Sequence, residues 1–312
     1  MARVKKGVPV HGWLIIDKPL GLSSSSVVGI VKRALNAQKA GHAGTLDPLA
    51  SGVLPIALGE ATKTVSFVMD GAKAYRFTVK WGSATNTDDA EGEVIETSDK
   101  RPSAEEIEKS LPQFIGRITQ VPPAYSAIKI GGQRAYKLAR GGEMVEMAPR
   151  EVIIDDFKLV SAPDPDSATF EVSCQKGTYI RALARDLALS LGTCGHVSYL
   201  RRTKSGPFVE KDAISLDSQG SLGHSAALET GLMPIETALD DIPALALTEN
   251  EASSMRQGGF VDLDLVLEQN PEHNAVKGVV EGGTVLVMSN GKPVALARIA
   301  SKQLRPVRVF NI

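Results

Sequence analysis

The stretch GHAGTLDPLASG, residues 41 to 52, holds one carboxylate, Asp47, and one imidazole, His42, among glycines, a proline and small apolar residues. Two uses of that spacing compete. Asp at an N-cap with Pro at the first helical position is a common way to open a helix. A lone acid in a tight turn also suits chemistry in which one carboxylate assists cleavage and remaking of a bond to an electron-poor ring. For that, the chain must bring cations and an aromatic at a strand edge to the turn from elsewhere.

Other chemistries lack their residues. The five histidines, His11, His42, His196, His224 and His273, are scattered and never paired at ligand spacing, so no metal is expected. TNTDDAEGE at 85 to 93 lacks the alternating ligands and closing glutamate of a calcium loop. There is no GxxxxGK[ST] loop, no GxGxxG after a strand and no GxSxG elbow, which leaves no cradle for a nucleotide cofactor and no serine nucleophile. Ordinary glycoside hydrolysis uses two carboxylates, and the turn offers one. No run approaches the eighteen or so apolar residues of a membrane span, and the start MARVKKGVPVHGW has no secretory pattern, so a cytoplasmic location is expected. Cys174 and Cys194 have no ligand spacing and read as free buried thiols.

The net charge of −1 conceals a partition. Residues 1 to 46 carry seven Lys or Arg against Asp17, and 176 to 204 carry six against Asp186. Residues 205 to 275 carry thirteen acids against Lys211 and Arg256. A basic face and an acidic back are expected, and a basic face binds phosphate through local cations whatever the net charge. VPPAYSAIKIGGQRAYKLARGGEM, 121 to 144, interleaves tyrosines with cations, the composition that stacks exposed RNA bases and follows their backbone. A plain surface hairpin shares that composition.

The elements that must position these residues are legible in outline. WLIID, 13 to 17, reads as a buried strand, followed by serines that cap a helix with Val27, Val31 and Leu35 at helical spacing. YRFTVKW, 75 to 81, alternates as a strand, with Tyr75, Phe77, Val79 and Trp81 on one face. Ser103 with Glu106 and Thr248 with Glu251 fit capping boxes. IRALARDLALSLG predicts a helix on which Arg181 and Arg185 share a face. Residues 212 to 243 read as a border with a proline-bounded link, MPIETALDDIP, and VLVMSNGKPVALARI beyond it as a hairpin around Asn290 and Gly291.

Taken together, the motifs resemble those of the bacterial tRNA pseudouridine synthase B family. GHAGTLDPLASGVL is similar to its catalytic motif, with Asp47 at the nucleophile position. IDKPLGLSS, AYRF, TNTDDAEG, VPPAYSAIKIGGQRAYKLAR, KGTYIRALARDLA and HVSYLRR follow in the family's order, over about residues 11 to 205. The resemblance implies an α+β pseudouridine synthase fold, with a central mixed, mostly antiparallel sheet flanked by helices. It implies a catalytic domain over 1–240, with a basic loop at about 121–150, and a small β-rich PUA-like RNA-binding domain over 241–312. The implied activity is cofactor-free isomerisation of uridine 55 in the tRNA T loop, by a monomer with no obligate protein partner. Asp47 takes the role of nucleophile or electrostatic partner, and Arg181 pairs with it. Tyr75 stacks on the flipped uracil and is a candidate base. Tyr179 and Leu200 line the uracil pocket, His42 fills the place the base vacates, and Lys18 and Lys63 contact phosphate or the pocket.

Overall fold

The computed structural model of the chain describes residues 7–126, 128–141, 146–216, 228, 230–269 and 281–312. Strand β1 (Gly12–Lys18) buries all of its Trp-Leu-Ile-Ile run. Helix α1 (Ser24–Ala34) is opened by Ser23, which accepts from the Ser26 N–H, and buries Val27 and Val31 as their spacing predicts. Next come β2 (Ala40–His42), β3 (Ala50–Leu58), α2 (Val65–Asp70), β4 (Lys73–Trp81) and a hairpin of β5 (Ser83–Thr85) and β6 (Val94–Thr97). Helix α3 (Ala104–Ser110) has both bonds of the Ser103–Glu106 capping box. Strand β7 (Gly116–Gln120) leads into an excursion holding β8 (Lys129–Ile130), β9 (Gln133–Arg134) and α4 (Ala135–Arg140). The chain returns as β10 (Arg150–Asp164) and β11 (Ser167–Cys174), then α5 (Ile180–Ser190), β12 (Gly195–Ser205), β13 (Phe208–Val209) and β14 (Ile214–Ser215).

Ten strands make one sheet, in the order β14-β1-β3-β12-β4-β11-β10-β7 with β2 on β3 and β13 on β12. Among the described residues of this sheet only β1–β14 and β3–β12 run parallel, so it is mixed and mostly antiparallel. Strand β12 is its seam. One apolar cluster, with Phe77, Phe157, Phe170 and Leu183, packs the sheet against α3 and α5, and another, with Leu14, Val27 and Leu54, packs it against α1. Tyr75 and Leu200 touch both clusters, which places them where the halves meet.

A second sheet, β15-β17-β18-β19-β16, is formed by β15 (Ala244–Ala246), β16 (Val261–Asp262), β17 (Thr284–Ser289), β18 (Lys292–Ala300) and β19 (Gln303–Val309). It has its own core around Leu245, Met255, Val285 and Leu304. Helix α6 (Glu249–Arg256) carries the Thr248–Glu251 capping box, and α7 (Leu263–Gln269) follows β16. Asn290 and Gly291 join β17 to β18 with φ of 49° and 72°, as a two-residue hairpin turn of this sequence requires. The expected border differs from a loose link. Residues 217–227 and 229 lie outside the described ones, but Met233 exchanges backbone hydrogen bonds with Trp13 at 2.7 and 2.8 Å. Ile235 and Leu239, at the two ends of a 3₁₀ turn, enter one cluster with Trp13, Phe208, Leu286 and Phe310. Among the described residues no helix is long and apolar enough to cross a membrane. Cys174 and Cys194 are free and buried, and burial pushes the Cys174 thiol up to about 11.

Candidate active site

Asp47 opens no helix. Its carbonyl accepts from the Ala50 N–H at 3.0 Å, so Pro48 and Leu49 are the inner residues of a turn that feeds directly into β3. The capping reading fails because ASGVLPIAL is buried at every position between β1 and β12, and that burial decides for strand. The turn is fixed from below. Ser24 Oγ donates to the Leu46 carbonyl at 2.9 Å and accepts from the Leu46 N–H at 2.8 Å, and the Gly21 N–H donates to the Pro48 carbonyl at 2.8 Å. Lys18 lies beneath, fully buried, its ammonium on the carbonyls of Pro19, Leu22 and Pro48 at 2.9, 2.7 and 3.4 Å. Burial pushes that ammonium down to about 8, against the upward pull of Asp47. A phosphate contact needs an exposed cation, so of the two roles expected for Lys18 the geometry favours the one beneath the pocket.

Arg181, in the first turn of α5, meets the acid. Its Nη2 lies 2.9 Å from Asp47 Oδ2 and its Nη1 3.4 Å from Asp89 Oδ2. The same nitrogens donate to the carbonyls of Tyr125 and Thr87 at 2.9 and 2.8 Å. The Asp47 side chain is 43% exposed and that of Arg181 only 7%, so the cation is locked while the carboxylate stays open to a substrate. Asp47, Arg181 and Leu200 line one pocket with Ala50, Asp89 and Tyr199. Tyr75 stands beside it, half-buried, paired with Arg202 across β4 and β12. Burial pushes the phenol above its usual value although Arg202 pulls it down, which keeps the ring neutral.

His42 ends β2 opposite Ile56 of β3. Burial and then the charge of Arg202 push its imidazole below the usual value, so it too is neutral at pH 7. Tyr179 precedes α5, its ring under the Arg150 guanidinium at 4.6 Å. Lys63 is not brought to the pocket. Its ammonium pairs with Glu60 and donates to the Val309 carbonyl at 2.6 Å, fastening the second sheet to the first.

Sequence reasoning assigned no role to Arg202, Asp89, Gln120 or Arg150. Arg202 had a signal: two adjacent arginines on a strand must point to opposite faces. Arg201 turns outward to Asp17 and Glu210, while Arg202 turns in, 1% exposed, donating to the carbonyls of Val53 and Gly44 at 2.8 and 3.0 Å. The expected basic face is also smaller than the local count. Lys176 pairs with Asp70, Arg185 with Asp88 and Arg201 with Asp17, because the fold brings distant acids onto these cations.

Residues 32–180 match the model of the TruB family pseudouridylate synthase N-terminal domain, and 181–240 that of the tRNA pseudouridylate synthase B C-terminal domain. The chain is 52% identical to the tRNA pseudouridine synthase B of Rhodospirillum rubrum and 53% to that of Caulobacter vibrioides, with both partners covered in full. It belongs to the tRNA pseudouridine synthase B family. As a member it is an isomerase that makes pseudouridine in tRNA. The tRNA pseudouridine synthase B fold is shared with a chain of a Cbf5-Nop10-Gar1 complex, at TM-score 0.69 and 25% identity over 96% of this chain and 84% of that one. An H/ACA RNP bound to a substrate RNA containing 2′-deoxyuridine contains a chain of the same fold, at TM-score 0.70 and 23% identity over 100% and 92%.

Proposed function

We propose that the protein isomerises uridine 55 in the T loop of tRNA, with Asp47 as the catalytic carboxylate. The observation that carries this reading is the Asp47–Arg181 pair at 2.9 Å, with an accessible acid and a buried cation, at the edge of a pocket shared with Leu200. A uridine stacked in the tRNA elbow is out of reach, so it is flipped out at a cost of a few kcal/mol. His42, neutral and on the strand leading into the catalytic turn, stacks in the vacated place. Tyr75 and Leu200, where the two halves of the sheet meet, hold the uracil together with Tyr179, two residues before Arg181. The N1–C1′ bond breaks, the base turns, and C5 bonds to C1′. The proton lost from C5 is matched by one gained at N1, so no cofactor or net reactant is consumed. Asp47 assists by attack on the sugar, by attack on the ring or through a glycal route, and its open side chain suits each. We assign the protein to the cytoplasm as a monomer, with the second sheet as a PUA-like RNA contact.

The test is carbodiimide mapping of an unmodified tRNA transcript after incubation, in which a primer-extension stop is expected at the T-loop uridine. Asp47→Asn is expected to lower conversion at least about a thousandfold while tRNA binding persists. Conversion by that variant near the normal rate excludes Asp47 as the catalytic group, and free uracil among the products would indicate hydrolysis instead.

A further inference from the structure

Gln120 ends β7 and Arg150 begins β10, and the two are paired in register, so together they form the neck of the 121–149 excursion. Both reach the same residue on another element. The Gln120 side chain is fully buried, donates Nε2 to the Tyr179 carbonyl at 3.1 Å and accepts the Tyr179 N–H on Oε1 at 2.9 Å. One carboxamide thus holds both backbone groups of the residue before α5, as a neighbouring strand would. Arg150 covers the Tyr179 ring at 4.6 Å and donates to the Gly177 carbonyl. The helix holds the excursion in return. Arg185 Nη2 donates to the Val121 carbonyl at 2.8 Å, and Arg181 Nη2 divides its bonds between the Tyr125 carbonyl and Asp47 Oδ2, both at 2.9 Å.

We propose that Gln120 and Arg150 are positioning residues that seat Tyr179 and, through the first turn of α5, set the Arg181–Asp47 pair. The inference rests on the roles of Tyr179 and Asp47 proposed above. Its force is geometric. A residue two positions from the catalytic cation is held at its N–H, its carbonyl and its ring by one cross-strand pair, whose own strands bound the basic excursion. Engagement of that excursion by RNA therefore bears on the catalytic pair through its neck, without either neck residue touching the reacting atoms.

A half-buried cation at the neck of a basic excursion has a competing role as a phosphate contact, and the two roles differ in what they move. Arg150→Met retains bulk and removes the charge. The expected result is a single-turnover rate at saturating tRNA about tenfold lower, with tRNA affinity within about twofold, an unchanged salt slope and an unchanged unfolding midpoint. Arg150→Lys is expected to recover about half of that loss on a logarithmic scale, since an ammonium still covers the ring but lacks the planar fork. Gln120→Glu, which removes the donor to the Tyr179 carbonyl, is expected to lower the same rate by about tenfold or more. Should Gln120→Glu fail to fold, Arg150→Met still decides. A full rate at saturation with weaker binding and a salt slope reduced by about one makes Arg150 a phosphate contact and overturns the proposal. Tyr179→Ala in the same assay separates the two readings. A normal rate there refutes the pocket role of Tyr179, whereas a slow Tyr179→Ala beside a normal Arg150→Met refutes only the positioning inference.

Discussion

The two sheets differ in one use of their cations: both carry exposed ion pairs, such as Arg76–Glu171 on the large sheet, but among the described residues only the large sheet also buries cations within its strands. In the large sheet Lys18, Lys73 and Arg202 are buried, and each is spent on backbone carbonyls: Lys18 on three, Lys73 on those of Val68, Met69 and Gly71, and Arg202 on two. Around the second sheet Arg256 pairs with Glu249 at 2.7 Å along α6, and Lys302, in the turn between β18 and β19, pairs with Asp264 of α7 at 2.8 Å, all exposed. A buried cation on carbonyls fixes the path of a loop, and removing it strands acceptors away from water. An exposed pair on a finished surface holds little in place. The loops around the Asp47 pocket are therefore shaped by charges that face inward, and charge counts along the chain cannot show which they are.

Arg202→Met gives this contrast its largest test. It leaves the Gly44 and Val53 carbonyls without their donor and removes the cation facing Tyr75, and a loss of about 2 to 4 kcal/mol is expected from urea unfolding. A loss below about 1 kcal/mol breaks the comparison. A smaller effect is expected of Lys18. With a folded value of about 8 against 10.5 unfolded, the folded state holds fewer protons than the unfolded state between those limits. Stability therefore rises with pH through that window and is flat with respect to this group below it. Lys73, also near 8, contributes in the same sense. The urea midpoint is expected to gain less between pH 7.5 and 10 in Lys18→Met than in the parent protein, and an equal gain in both assigns the rise to other groups. Least of all is expected from Lys302→Ala, where no measurable shift in midpoint sharpens the contrast and a loss like that of Arg202→Met ends it.

Where local pattern and tertiary burial agree, the sequence was sufficient. The alternation of β4, the two capping boxes and the Asn290–Gly291 turn each carry their own signal within a few residues, and each forms as read. Asp47-Pro48 misleads because the local cap signal is real but the following nine residues are needed in the sheet interior. The partners of Asp47 were not legible from spacing. Arg181 lies on a helix more than a hundred residues away, and only the resemblance to known motifs joined them. Lys63 shows the converse: a lysine near the motif in sequence is drawn off by Glu60 and the second sheet. Gln120 had no signal at all, since a buried glutamine matters only for the backbone it happens to meet.

The seam strand has a consequence for how the chain comes into being. Strand β12 sits between β3 and β4, yet it is synthesised long after both, and Ser51 meets the Leu200 carbonyl across 149 positions of sequence. At Gly52, where φ is 100°, a methyl group would stand 2.2 Å from the Arg202 carbonyl, so the insertion leaves no slack. Before residue 195 is made, β1–β3 and β4–β11 have no strand to join them. A nascent chain that ends with α5 already contains Asp47, Tyr75 and Arg181 and still has no cleft. Contacts of such separation are slow to close and leave apolar strand edges open while they wait. The fold is thus committed late: β12 turns two half-sheets into one, and until it does their inner edges stay unpaired.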